Sequence, residues 1–301
     1  MPRVGRVTPS AKFFLYLAGT ALLLLSLVYV GISVAKNWST IEHARIRAPA
    51  WLLASIAVYA VSHLSTGLSW PLAVRQLGTA ISIKDGLRIG LVSQIGKYLP
   101  GNIAHYGSRV ALAADAGIPL KSSGISTAIE LGSALIGMAL VSTIGLLVDP
   151  RPLAFLPEIH SPAVILIAVG VFCLFGGMFW FARKGTHPAL LAGPTICLAV
   201  SFVLSGVSFF ALARALGIVD LPLAATIGAF ALAWGIGFVV PGAPAGMGVR
   251  EATLLALFGP MIGSGPAVVV TIFHRLVTAA VDVVAALIGY IWLTSGALPK
   301  K

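Results

Sequence analysis

The sequence predicts an all-α, polytopic membrane protein with about six full transmembrane helices and two Pro-Gly re-entrant hairpins arranged as an inverted repeat. Three observations point there. The 301 residues are 58% hydrophobic and only 10% charged, whereas soluble domains carry about 25% charged residues. Several apolar stretches reach the roughly 20 residues that a helix needs to cross a bilayer. Two further oily, glycine-rich stretches are each interrupted by Pro-Gly.

In chain order the full spans fall near 13–35, 50–73, 124–148, 162–182, 193–213 and 266–294. The first is too long for the apolar core of a signal peptide, so it is expected to be retained. The broken stretches lie near 86–109 and 223–262. The chain reads as one integral membrane domain, 1–301. Within it, 50–148 and 193–294 are the two repeats, 13–35 is a leading span and 162–182 a connector.

The net charge of +11 would suggest nucleic acid in a soluble chain. Here the cations sit in short loops between spans, where Lys and Arg set topology, and no nucleic-acid partner is expected. With both termini cytoplasmic, only Lys36, Arg45, Arg47, Arg151, Arg214 and Arg250 fall outside. That bias fits a multi-pass protein of the cytoplasmic (inner) membrane. Cys173 and Cys197 lie in apolar spans, which argues against a disulfide framework or a zinc site. Asn37-Trp38-Ser39 matches a glycosylation acceptor and is read as a chance match.

The repeat rests on echoed residues. "RQLG" (75–78) returns as "RALG" (214–217), 139 residues later. Pro100-Gly101 returns as Pro241-Gly242, and Arg109 as Arg250, both 141 later. Three full spans separate the copies, so the copies lie in opposite orientations, as in many transporters.

A Pro-Gly break frees backbone groups, which hydrocarbon does not tolerate unless protein buries them or a watery cavity receives them. A second arm starting just after each break would aim its N-terminal N–H groups at an anion. Asn102 can cap the first such arm. Gly242, Gly246 and Gly248 permit close backbone approach in the second. Lys97, His105, Arg109 and Arg250 add positive charge, and Arg suits phosphate. The plainer alternative is two ordinary turns flanked by topogenic charge.

Glu130, His274, Arg275 and Asp282 lie inside spans, where ionisable residues are costly and mark function or structural pairing. Arg275 and Asp282 share a helix face, and Glu130 can neutralise one of the arginines. His63 is expected to bond a neighbouring carbonyl. No catalytic residue, metal ligand or cofactor motif is found.

"GKYLPGNIAHYGSR" (96–109) and "VVPGAPAGMGVREA" (239–252), with "FHRLVTAAVD" and Glu130, resemble the lysylphosphatidylglycerol synthase transmembrane-domain family of flippase-like proteins. The resemblance covers about 10 to 295. It implies a translocase for lipids with an anionic or zwitterionic head group, a phospholipid or a polyprenyl phosphate, in envelope biogenesis. Further partners would be a second copy of the chain or envelope-assembly enzymes. The implied head-group residues are Lys97, Asn102, His105, Arg109, Glu130, Arg250, Glu251 and Arg275. Ala243, Pro244 and Ala104 depart from the family pattern. Two other functions remain open from the residues: an enzyme on a lipid-linked substrate, and a non-transporting scaffold.

Overall fold

The computed structural model describes residues 24–25, 27–98, 104–154, 189–240 and 243–295. Among these, every regular element is helical. They are α1 (Leu27–Lys36), α2 (Trp38–Glu42), α3 (Pro49–Gln76), α4 (Ile83–Gln94), α5 (Ala104–Asp115), α6 (Leu120–Val148), α7 (Ala189–Ala215), α8 (Leu223–Val239), α9 (Val249–Ile262) and α10 (Ser264–Ser295). Short 3-10 turns at Ile95–Tyr98, Arg151–Leu153 and Pro244–Gly246 complete them. Four helices, α3, α6, α7 and α10, are long and apolar enough to cross a membrane. They correspond to the spans expected at 50–73, 124–148, 193–213 and 266–294, extended at both ends in α3, α7 and α10 and at the start in α6. Much of the span at 13–35, and the connector at 162–182, lie outside the described residues.

Both broken stretches are split into two helices. In the first, α4 tightens into the 3-10 turn at Ile95–Tyr98, and α5 follows from Ala104. In the second, α8 ends at Val239 and α9 begins only at Val249. The expected start just after the second Pro-Gly is therefore corrected. Ala245, Gly246 and Gly248 all have positive φ (49°, 69° and 80°), which no right-handed helix accommodates. Gly248 is the N-cap, and its N–H donates to Glu251 Oε2 at 2.6 Å. Pro100, Gly101, Asn102, Pro241 and Gly242 lie outside the described residues.

The echo of "RQLG" in "RALG" has a local cause. Gly78 and Gly217 close α3 and α7 with φ of 76° and 82°. Just beyond them, Thr79 N–H donates to the Val74 carbonyl and Ile218 N–H to the Ala213 carbonyl. Each pair spans the helix end in the same way, which satisfies otherwise orphaned carbonyls.

Helices α3 and α7 pack along their length. Ser55 meets Ser208, Ser62 meets Ser201, and the Ser65 hydroxyl donates to the Cys197 carbonyl. One number falls as the other rises, so the helices run antiparallel. At the middle of the seam, Thr66 and Ser201 share a hydrogen bond of 2.7 Å, and Ser62 and Ser205 share one of 2.8 Å. Shifting by the 139-residue offset turns Thr66 into Ser205 and Ser62 into Ser201, so it exchanges these two contacts.

The long helix of each half also leans on the broken helices of the other, α6 on α8 and α10 on α4. Small residues make this possible. A Cβ at Gly145 would fall 2.7 Å from the Ala224 carbonyl oxygen and from Gly228. A Cβ at Gly289 would fall 3.0 Å from Leu91 Cβ.

Gly145→Ala is expected to destabilise the protein by about 1–3 kcal/mol, because backbone has to yield to the added methyl. Gly124→Ala, in the same helix with nothing within 4 Å of the added carbon, is expected to be neutral or stabilising by up to about 1 kcal/mol. Unfolding of both variants in detergent micelles checks the difference.

Candidate functional site

A cavity lies where α3, α7, α8 and α10 meet the two broken segments. Lys97, Tyr98 and His105 reach it from the first segment, and Ala245, Gly246 and Arg250 from the second. Tyr59 and His63 come from α3, Glu130 from α6, and Arg275 and Asp282 from α10. Seven positions between Arg275 and Asp282 are close to two helical turns, which is why one helix presents both to the same space.

Asp282 is the hub. It is only 1% exposed, and buried charges need partners. Lys97 Nζ lies 2.7 Å from its Oδ2, and the Tyr98 hydroxyl donates to the same oxygen at 2.5 Å. On Oδ1, His63 Nδ1 lies at 2.9 Å and the Tyr59 hydroxyl donates at 3.2 Å. The carboxylate thereby ties α10 to α3 and to the turn before the first break. The expected bond from His63 to a neighbouring carbonyl is corrected: its partner is Asp282, from the far end of the sequence.

Arg109 and Glu130 form a second buried pair through Arg109 Nη1 and Glu130 Oε2. Arg109 Nε also donates to Ser93 Oγ at 3.0 Å, and Ser69 donates to Glu130 Oε1 at 2.7 Å. Glu130 does neutralise an arginine, as the sequence suggests. Arg109, 1% exposed, sits behind the cavity wall rather than on it. In the second half, Arg275 Nε lies 3.6 Å from Glu251 Oε1, and Arg275 Nη2 donates to the Ala245 carbonyl at 3.2 Å. Glu251 thus has two structural tasks, capping α9 and facing Arg275. Gly246 and Gly248 serve the backbone turn.

Arg250 differs from the other three cations. Lys97, Arg109 and Arg275 each face a carboxylate, but Arg250 has no ion pair or hydrogen bond among the described residues. Its guanidinium lies 4.3 Å from the centre of the Phe230 ring and lines the cavity.

Part of the lining is apolar. Phe230, Trp234 and Phe238 repeat every four residues along one face of α8, joined by Phe202 and Leu198 of α7. Trp234 stacks on Phe238 with centroids 5.0 Å apart. Ser62, Thr66, Ser201 and Ser205 also line it. The cavity is therefore amphiphilic, lined by both charged groups and aromatic rings, and the two meet where Arg250 lies over Phe230. Tyr59, His63, Tyr98 and Trp234 were not singled out as site residues by sequence. The spacing of Tyr59 and His63, four apart on one face within a span, is the signal that would have found them.

The family model for the lysylphosphatidylglycerol synthase TM region matches residues 13–286. No curated protein matches the chain.

Removing one member of a buried ion pair strands the other, at about 3–5 kcal/mol, whereas replacing both with apolar residues is often near neutral. Arg109→Met and Glu130→Leu are each expected to destabilise by that amount alone. Together they are expected to recover most of the loss, as a double-mutant cycle of unfolding free energies would show.

Proposed function

The chain belongs to the lysylphosphatidylglycerol synthase transmembrane-region family, and from that premise we propose that it is a lipid translocase. A phosphate-bearing head group enters the cavity between two oppositely oriented halves while its hydrocarbon tails stay in the bilayer. The observation that carries this reading is the amphiphilic cavity itself, with Arg250 facing it unpaired. A half-buried cation without an ion-pair partner among the described residues is costly, and a phosphodiester supplies the missing charge and matches the guanidinium fork. The aromatic wall of α8 and α7 accepts the apolar part of the molecule next to the head group.

The inverted-repeat reading is supported by the antiparallel seam of α3 and α7, by the pair of contacts exchanged by the 139-residue offset, and by the matching glycine caps. In this reading each broken segment is a re-entrant hairpin, 50–148 and 193–294 are the repeats, and both faces of the membrane see equivalent machinery. The protein resides in the cytoplasmic membrane with its termini inside. Lys97, His105, Glu130, Arg275 and Asp282 shape the cavity, Arg109 holds Glu130 in place and Glu251 faces Arg275.

Two experiments test this. Purified protein in vesicles carrying fluorescent phospholipids or polyprenyl phosphates is expected to expose inner-leaflet lipid to a membrane-impermeant quencher faster than protein-free vesicles do. Arg250→Ala is expected to slow that exposure at least about tenfold, since a hydrogen bond to a charged group contributes about 1.5–3 kcal/mol. Protein-free behaviour with every lipid, or full activity without Arg250, overturns the reading. Separately, single cysteines at Ala80 and Asp220, just past the equivalent helix ends, are expected to react with impermeant reagent from opposite sides. Labelling from one side removes the inverted arrangement.

A further inference from the structure

Lys97 is the least anchored of the paired cations near the cavity. Arg109 is 1% exposed and also donates to Ser93. Arg275 also donates to the Ala245 carbonyl. The Lys97 side chain is 21% exposed and lines the cavity. Among the described residues its one ion-pair or hydrogen-bond partner is Asp282. It sits on the 3-10 turn Ile95–Tyr98 beside the first break, not on a long span.

Asp282 is placed the other way. It is 1% exposed and lies within α10, a helix apolar enough to cross a membrane. Tyr59 and His63 of α3 and Lys97 and Tyr98 of the turn bond to its carboxylate. Arg275 of its own helix and Arg250 of α9 line the same cavity, as do Ser201 and Ser205 of α7. Arg275 faces Glu251, and Glu130 of α6 is held by Arg109. On α4, Lys84 and Arg88 lie over Trp292, ten residues beyond Asp282. Lys97 is therefore the one permanent cation bonded to Asp282 among the described residues. His63 is the neighbour that can become a cation by taking a proton.

An entering phosphodiester competes for Lys97, because an ammonium pairs with a phosphate as it does with a carboxylate. When Lys97 turns to the lipid, Asp282 is left buried without its cation. A lone buried charge is expensive, and uptake of a proton removes it. His63 Nδ1, 2.9 Å from Asp282 Oδ1, offers the proton a second position. The proton belongs to the pair rather than to either group.

We propose that the protein couples lipid movement to protons: the Asp282–His63 pair takes one proton from water when an anionic head group draws Lys97 away, and returns it to water when Lys97 closes again. The proposal rests on the translocase reading and adds what drives it. One O–H or N–H bond forms on the pair, and no bond in the lipid changes. A singly charged lipid and one proton together are neutral. Net movement therefore follows a pH difference rather than a membrane potential.

Lys97→Met tests the proton site without lipid or transport. It leaves Asp282 with no ammonium, so the folded variant is expected to hold the extra proton at rest. Above about pH 6.5 the unfolded chain gives that proton up. The folded state then binds more protons than the unfolded state, so stability falls as pH rises. In detergent micelles, the midpoint of thermal unfolding is expected to drop about 3 °C or more, relative to wild type, between about pH 6.5 and about pH 8.5. Lys97→Met with Asp282→Asn is expected to lose this extra dependence. An equal pH response in Lys97→Met and wild type overturns the proton site. So does a Lys97→Met variant that folds at neither end of that range.

The coupling itself is tested with wild-type protein in vesicles. The probes are labelled phosphatidylglycerol and a labelled hexosyl polyprenyl phosphodiester, each singly charged. A difference of about one pH unit is imposed with the membrane potential clamped at zero. At least one probe is expected to accumulate about twofold or more in the leaflet facing the alkaline side, beyond protein-free vesicles, against a one-to-one limit of about tenfold. Reversing the gradient is expected to reverse the accumulation. Even distribution under both gradients, with exchange faster than in protein-free vesicles, overturns the coupling and leaves translocation standing. Exchange of both probes no faster than in protein-free vesicles overturns the translocase reading, and the coupling with it.

Discussion

Asp282 constrains the centre of this protein. One carboxylate, almost wholly removed from solvent, accepts from Lys97, Tyr98, Tyr59 and His63. Three separate parts of the chain are thereby held within one small volume. Hydrophobic contacts alone do not discriminate well between neighbouring registers of apolar helices, because lipid tails are as apolar as the side chains. A buried charge does discriminate, because each wrong register leaves it unsatisfied. The cavity exists because the helices that wall it are pinned at this point rather than packed to closure.

The second buried pair, Arg109 with Glu130, does a similar task for α5 and α6. Arg250 is the position where this pattern of matched charges stops. Three carboxylates, Glu130, Glu251 and Asp282, face Arg109, Arg275 and Lys97, and Arg250 has no such partner among the described residues. That asymmetry between the halves is functional information that symmetry alone hides. Arg109 and Arg250 are equivalent in sequence spacing, yet Arg109 is paired with Glu130, while Arg250 faces no carboxylate in an ion pair among the described residues and lies over Phe230.

Much of the architecture is legible in the sequence because the bilayer restricts the choices. Long apolar runs had to be helices, and α3, α6, α7 and α10 are found where hydropathy puts them. The convergence of Arg275 and Asp282 follows from helical period, and the pairing of Glu130 with an arginine follows from the cost of lone buried charge. The identity of that arginine, and the partner of His63, depend on contacts 21 and 219 residues apart in the chain, which no local pattern encodes. The delayed start of α9 was missed for a local reason. Ala245 adopts a positive φ that its side chain gives no reason to expect, so the residue type advertises a helix where the backbone forms a turn. Gly78 and Gly217 show the opposite case, in which a residue type states its backbone conformation openly.

The seam between α3 and α7 differs in kind from the Asp282 cluster. Its members are hydroxyls, which donate and accept alike, and they recur about every turn on both helices. Such a seam has no polarity to defend. Ser62 already reaches both Ser201 and Ser205, and Ser201 both Ser62 and Thr66. Ion pairs grip one geometry and release it only at a cost. The protein thus joins a bearing to a latch. In the translocation proposed above, the resistance to motion would sit at the carboxylate in the cavity, where an arriving head group would meet it.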